Sequence, residues 1–377
     1  MNFSPQQEGA LTAVQQWLHS DEQTFRLFGY AGTGKTTLAR HLNADFYAAY
    51  TGKAAHVLRQ KGCRDASTIH SLIYCPKEKS HERLMAMQTK RLDPDLTPQQ
   101  CADLDRLIAE EKTNLHKPAF TLNLDSPLRS AGLLVIDECS MVDARMGRDL
   151  LSFGCKILVL GDPAQLPPVM GGGFFTAQKP DVLLSEIHRQ ARGNPILDLA
   201  TRIREGQRWQ EHELIQSAAT AEEAVAAEQI ICGRNATRHR INRRIRTLLG
   251  HTDRLPVPGD RLVCLKNNHE FGLLNGALYE VAEVLDRGHC LQLELDTGLM
   301  VAAHREPFLG EEVDPQFERN FEKFDFGYAL TCHKSQGSQW DSVLVFDESE
   351  CFRGSARRWL YTAVTRAAHS LKVVSPC

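Results

Sequence analysis

Residues 29–37 read GYAGTGKTT, and this stretch constrains the chain more than any other. It fits Gly-x-x-x-x-Gly-Lys-Thr: Gly29, Gly34, Lys35 and Thr36 take the fixed places, Tyr30, Ala31, Gly32 and Thr33 fill the loop, and Thr37 follows. The apolar run FRLFGY leads into it and TLARHL follows as a helix start, the strand–loop–helix context that a phosphate-binding loop requires. Glycines let backbone N–H groups turn inward around a triphosphate. The positive end of the new helix points at the same anion. Lys35 is placed to reach the outer phosphates, and the Thr36 hydroxyl to hold Mg2+.

The 377 residues suffice for two to four modules. No apolar run approaches the roughly 20 residues of a membrane span, and the N-terminus MNFSPQQEGALTAV lacks the basic and apolar regions of a secretory signal. A net charge of −3 gives no global basic field, so any nucleic-acid contact must use a local patch. Eleven scattered cysteines without a C-x-x-C pair fit reduced thiols in a cytoplasmic setting better than a zinc site.

Short apolar runs alternate with helical stretches in two blocks. TFRLFGY, ADFYAAYT, GLLVIDEC, KILVLGD and VLLSEI form the first, and EQIICG, FGYALTC, SVLVFDES and LKVVS the second. Buried strands separated by helices predict parallel sheets in two α/β domains, with a site in the crevice between them. Two segments break the pattern. Residues 75–124 are charged and poor in strand signal, with a capping box from Thr97 to Gln100 and Leu104, Leu107 and Ile108 on one helix face, which predicts a small inserted subdomain. Residues 263–303 switch to period two, with YEVAEVLD, CLQLELD and LMVAAH separated by NG, RG and DTG turns, which predicts a small antiparallel barrel.

In LLVIDECSMV, Asp137 falls at a strand tip where it would hold Mg2+ through water, and Glu138 where it would orient and deprotonate an attacking water. LGDPAQLPPV ends another apolar strand with Gln165, a neutral amide able to sense a terminal phosphate. Arg189 in LLSEIHRQ and Arg366 in RRWLYTAVTRAAHS are the candidates to insert into a phosphoryl-transfer site, where such a cation is worth roughly three to five orders of magnitude in rate.

The order of these motifs resembles superfamily-1 helicases of the RecD/Dda branch. SPQQ (4–7) looks like the adenine-reading Q motif, with Gln7 the preferred glutamine; GYAGTGKTT is similar to motif I, YTGKAA (50–55) to Ia and STIHSL (67–72) to Ib. VIDECSMV, GDPAQLPPV and EIHRQ resemble motifs II, III and IV, YALTCHKSQGSQWDSV (328–343) resembles motif V and YTAVTRA (361–367) motif VI. His188 stands where many relatives carry Tyr, and Gln339 where an acid often follows QGS.

The resemblance implies two RecA-like parallel-sheet P-loop domains. Residues 1–74 and 125–183 would form domain 1A around an inserted pin subdomain 1B at 75–124. Residues 184–262 and 326–377 would form domain 2A around an SH3-like β-barrel, 2B, at 263–325. It implies ATP and Mg2+ as cofactors, with His188 and Gly337 joining the loop and Gln7 around the nucleotide. Thr51, Lys53, Thr68 and His70 would hold nucleic-acid phosphates from the first domain, and His333, Lys334 and Ser335 from the second. The implied activity is 5′-to-3′ DNA unwinding by a monomer on single-stranded and forked DNA, with a single-strand-binding or replication protein as a further partner. An RNA helicase, a protein-displacing translocase and a slow nucleotide switch are the rival readings.

Residues 234–246, RNATRHRINRRIR, carry six arginines and no acid over an apolar stripe of Ile241, Ile245 and Leu248. A solvated face and a phosphate-contacting face fit this run equally. Phe120, Tyr74, Phe271, Trp340 and Trp359 are aromatics available either to stack bases or to fill a core.

Overall fold

The computed structural model describes residues 3–76, 82–93, 96–116, 120–167, 173–186, 193–268, 270–313 and 321–375. Two parallel sheets dominate it. The first contains β1 (Thr24–Gly29), β2 (Phe46–Ala49), β3 (Ser67–Thr68), β6 (Leu133–Asp137), β7 (Lys156–Gly161) and β8 (Val182–Leu184), in the order β3-β2-β6-β7-β1-β8. Every pairing in it is parallel. These strands are near-continuous apolar runs because helices cover both faces: the first four residues of β6 and the last five of β7 are buried. Helices α1 (Pro5–Leu18), α2 (Lys35–Arg40), α3 (Gly52–Gln60), α4 (Ile69–Ile73) and α7 (Ala144–Leu151) pack around them.

Between α4 and β6 the chain leaves the sheet through an antiparallel ribbon, β4 (Tyr74–Pro76) and β5 (Phe120–Leu122), with Tyr74 opposite Leu122 and Pro76 opposite Phe120. Beyond it, α5 (Glu82–Arg91) and α6 (Pro98–His116) pack against one another, joined by an Arg91–Asp105 ion pair of 2.8 Å. The Thr97–Gln100 capping box forms at the start of α6, with the Thr97 N–H donating to Gln100 Oε1 at 2.9 Å. Leu104 and Ile108 are half-buried and Leu107 is exposed.

The second sheet orders β16 (Ala329–Thr331), β10 (Gln229–Cys232), β17 (Trp340–Phe346), β18 (Ala367–Val374) and β9 (Ile215–Gln216), again all parallel. Helices α8 (Pro195–Glu205), α9 (Ala221–Ala226), α10 (Asn235–Leu248), α12 (Cys332–Ser335) and α13 (Ala356–Val364) flank it. Between α10 and β16 lies a five-stranded antiparallel sheet, β14-β13-β12-β11-β15, made of β11 (Arg261–Cys264), β12 (Leu278–Asp286), β13 (Leu291–Leu295), β14 (Met300–Ala303) and β15 (Phe324–Phe326), with the one-turn helix α11 (Glu306–Leu309) beside β15. β13 alternates buried and half-buried residues and β14 exposed and buried ones, as the period-two pattern predicts. The NG, RG and DTG turns carry left-handed backbone at Gly276 (φ 85°), Gly288 (φ 83°) and Gly298 (φ 77°). The sheet is wider than the period-two stretch, because β11 and β15 close it from either side of that stretch.

In both parallel sheets the loops that follow the strands gather on one edge. β1 opens into the phosphate loop, β6 ends on Asp137, β7 leads to Asp162 and Gln165, and β16 leads into α12. One apolar core crosses from the second sheet to the first: Leu166 is buried with Trp340, Trp359, Tyr361 and Val364, and Ala31 and Ala164 pack against the same cluster. Among the described residues no helix is long and apolar enough to cross a membrane.

Candidate active site

A cavity of about 850 Å³ lies where the two parallel sheets meet. Ala31, Gly32 and Gly34–Thr37 of the loop, Gln7, Asp137, Glu138 and Gln165 wall it from the first side, and Gly337, Ser338, Gln339, Thr365 and Arg366 from the second. Gly29, Tyr30 and Thr33 stand behind the loop and do not line it.

Local chemistry shapes the loop. Gly32 (φ 77°) and Gly34 (φ 79°) take left-handed backbone. A Cβ at Gly29 would come within 2.6 Å of Thr33 Oγ1 and 2.8 Å of Leu184 Cβ, so only glycine permits that approach. The Lys35 ammonium donates to the Gly29 carbonyl at 2.6 Å and the Tyr30 carbonyl at 3.1 Å, folded over the loop it serves. Gln7 reaches the loop from α1, donating to the Thr33 carbonyl at 3.0 Å while its Oε1 accepts from the Ser4 N–H at 3.0 Å. The neighbouring Gln6 accepts from the Ser185 and Glu186 N–H groups, both at 2.9 Å, and tethers the approach to the expected motif IV.

The Thr36 hydroxyl donates to Asp137 Oδ2 at 2.9 Å, which brings together two oxygen groups suited to a hard divalent cation. Glu138 follows in left-handed backbone (φ 53°, ψ 44°), a conformation that costs a non-glycine residue on the order of 1–3 kcal/mol. That turn lets Glu138 line the cavity beyond the strand tip. Burial raises the Glu138 pKa above the carboxylate range; the Arg366 charge opposes this, and Asp137 reinforces it. Gln165 is buried in the cavity wall, and its Oε1 has no hydrogen-bond partner among the described residues. A buried acceptor left open costs roughly 1–3 kcal/mol unless a donor arrives, and a water or a protonated phosphate oxygen would supply one.

Arg366 sits where α13 ends and β18 begins. It is buried, and its guanidinium donates to the Thr362 and Ser338 carbonyls, both at 3.1 Å, and to Thr365 Oγ1 at 3.3 Å. Those partners are neutral, and no carboxylate of the described residues forms an ion pair with it. A buried cation held rigidly by neutral groups beside an anion-binding loop is poised for an anionic ligand. Arg189 and His188 lie outside the described residues.

Motif VI also contributes residues that sequence patterning does not single out. The Tyr361 hydroxyl accepts from the Ala31 N–H at 3.0 Å and donates to Asp162 Oδ2 at 2.7 Å, tying the phosphate loop to the loop after β7. Thr362 Oγ1 accepts from the Leu166 N–H at 2.9 Å, and Gln336 donates to the Leu166 carbonyl at 2.9 Å. Arg204 of α8 covers the Tyr30 ring, 3.7 Å from its centroid. Only pairing in space reveals these roles, since a tyrosine inside an apolar helix reads as core. Tyr361→Phe keeps the ring and removes both bonds, leaving a half-buried N–H and a buried carboxylate short of a partner. The expected loss is about 1–3 kcal/mol for each group left unpaired, measured by denaturant unfolding, and an unchanged midpoint would contradict the seam described here.

The expected phosphate-contacting residues divide. Thr51 and Thr68 are helix N-caps, accepting from the Ala54 and Ser71 N–H groups, both at 3.1 Å. Lys53 lies over the Trp340 indole, 4.3 Å from its centroid, and burial lowers its pKa to about 8 against the opposing field of Glu228. It is a seam residue as placed, because α3 packs on the motif V turn: a Cβ at Gly337 (φ 72°) would sit 3.1 Å from Ala54 Cβ. His70 is half-buried among Tyr50, Tyr74 and Phe120, its pKa lowered by burial. His333 packs against Phe352, and burial lowers its pKa and that of Lys334. Ser335 departs from expectation: it is fully buried and its hydroxyl donates to the Cys332 carbonyl at 2.8 Å, so no surface phosphate meets it. Of the five aromatics, Trp340 and Trp359 are core and Tyr74 is anchored to Asp149 by a 2.6 Å bond, while Phe120 and Phe271 are exposed.

Comparison with known proteins agrees with this layout. Residues 3–225 match the family described as AAA domain, and residues 326–374 the UvrD-like helicase C-terminal domain. The chain is 26% identical over 381 residues to the ATP-dependent RecD2 DNA helicase of Deinococcus radiodurans, covering 90% of this chain and 45% of that protein. It is 27% identical over 223 residues to the ATP-dependent DNA helicase dda of Enterobacteria phage T4, covering 54% of this chain and 42% of dda. The chain therefore spans less than half the length of either relative. Its fold is similar to that of a Pif1 helicase from Bacteroides solved with ADP-AlF3 and single-stranded DNA, with a TM-score of 0.58 at 20% identity, over 100% of this chain and 93% of that one. With both family matches in this order along one chain, it belongs to the superfamily-1 helicases, in the branch of RecD and Dda.

Proposed function

We propose that the chain is an ATP-dependent DNA helicase that moves 5′ to 3′ on single-stranded DNA and unwinds the duplex ahead of it. The observation that carries the reading is the shared cavity: Lys35, Thr36, Glu138 and Gln165 line it from one parallel sheet and Arg366 from the other. Chemistry in such a pocket senses, and changes, how the two sides sit.

ATP would enter with its phosphates on the loop N–H groups and Lys35, and its base toward Gln7 and His188. Thr36 and Asp137 would hold Mg2+, which when bound neutralises charge on the phosphates. Glu138, with its raised pKa, orients the attacking water and takes its proton. Gln165 offers its open amide oxygen to the same water or to a protonated oxygen of the terminal phosphate. Arg366 and Arg189 stabilise charge on the transferring group. Release of that contact loosens the seam, and alternating grip on the strand converts it into a step.

The architecture supports division into 1A (1–74 and 125–183), pin subdomain 1B (75–124), 2A (184–262 and 326–377) and an SH3-like 2B (263–325), the last being the antiparallel sheet between α10 and β16. His70, His333 and Lys334, with Thr51, Lys53 and Thr68 after rearrangement at the seam, form the track for single-stranded and forked DNA. The working unit is a monomer, with a single-strand-binding or replication protein as a further partner, in the cytoplasm. Polarity follows the branch. Forked substrates tailed on one strand test it: the 5′-tailed fork is expected to open with ATP, and opening of the 3′-tailed fork alone would contradict the direction.

A further inference from the structure

Six arginines crowd residues 234–246, and the structure separates them into two sets of three. Arg234 pairs with Glu348 at 2.8 Å, Arg238 with Asp325 at 2.6 Å and Arg246 with Asp260 at 2.9 Å. These pairs anchor α10. Asn242 anchors it further, donating to the Phe326 carbonyl at 2.9 Å and accepting from the Ala329 N–H at 2.7 Å. The helix is therefore fixed against β15 and β16, the strands that lead directly into His333 and Lys334.

Arg240, Arg243 and Arg244 form the other set. All three are exposed, and among the described residues none has a carboxylate within ion-pair distance. Arg240 lies three and four residues before the other two, so their charges share one face, where like pairs destabilise a helix. No acid on α10 relieves them. His239 precedes Arg240 on the helix, and its ring sits 3.0 Å from Arg238 Nη2. α10 and α12, which carries Lys334 of motif V, both pack against β16, so the face and Lys334 belong to neighbouring elements.

We propose that Arg240, Arg243 and Arg244 form a second phosphate-binding strip that takes the sugar–phosphate backbone of the single strand beyond Lys334. The inference rests on the DNA-binding reading and extends its footprint along α10. A nucleic-acid backbone fits better than an acidic protein surface, because the strip continues the expected phosphate track and consists of guanidinium groups without an apolar centre.

The test measures affinity for a fluorescent single-stranded oligonucleotide across salt concentrations. Removing one arginine–phosphate pairing should reduce the slope of log K against log salt by about 0.7. R240Q/R243Q/R244Q is expected to reduce it by about 2, and R243Q alone by about 0.7, with melting temperatures near that of the parent. The variants should also lose the affinity that the parent gains when the oligonucleotide is lengthened. A parent that binds tightly beside variants of unchanged slope would overturn the strip alone. A parent with no affinity for the oligonucleotide would overturn the DNA reading, and the strip with it. R243Q keeps the test decisive if the triple variant fails to fold.

Discussion

Arg366→Ala is expected to slow ATP hydrolysis by roughly three to five orders of magnitude, the range for removing a cation that stabilises phosphoryl transfer. The geometry explains why so much rests on one side chain. The guanidinium is buried at the cavity wall, its hydrogen bonds run to neutral carbonyls and a hydroxyl, and its charge reaches Glu138. It arrives from the side of the cleft opposite Lys35, so its loss removes both charge stabilisation and the coupling of nucleotide state across the seam. Binding of a fluorescent ATP analogue should persist, because the loop and Lys35 remain. Arg366→Lys separates charge from shape: it keeps the cation but not the planar fork that Thr362 and Ser338 hold, and should recover only part of the rate. Turnover near the parent rate in Arg366→Ala would remove the residue from the reaction.

Glu138→Gln should reduce turnover by about two to four orders of magnitude, the usual worth of a positioned general base. ATP should remain bound, since the amide occupies the same space without repelling phosphate. The pH profile gives a second readout. Burial raises the Glu138 pKa, and a base works only when deprotonated, so the acidic limb of the parent's rate profile should fall above the ordinary carboxylate range. Glu138→Gln should abolish that limb. A limb that persists unchanged in the variant would assign it to another group.

Most of this site was legible because its chemistry sits at strand tips. Buried parallel strands are continuous apolar runs, so Gly29, Asp137 and Gln165 could be placed at the ends of such runs from sequence alone. Strands defined by pairing were not legible in the same way. β9 and β3 have two residues each, and β15 becomes the edge of its sheet only by finding β11 across sixty residues of chain. Residue type also left side-chain surroundings undetermined. Lys53 and Ser335 have the chemistry of phosphate ligands, yet one lies over Trp340 and the other is buried on Cys332. The arginine run could not be divided from sequence, since Asp325 and Glu348 lie far along the chain and Asp260 at the far end of the loop that follows α10. Tyr361 was legible as the first residue of motif VI but not as the group that joins the phosphate loop to Asp162.

The central claim is that ATP turnover in the shared cavity and grip on a polynucleotide are one coupled process. Steady-state ATP hydrolysis, measured with and without saturating single-stranded DNA, tests it most directly. A large rise in rate when DNA is added, abolished at high salt as the phosphates are screened, is the predicted result. An identical rate in the presence and absence of DNA would contradict it.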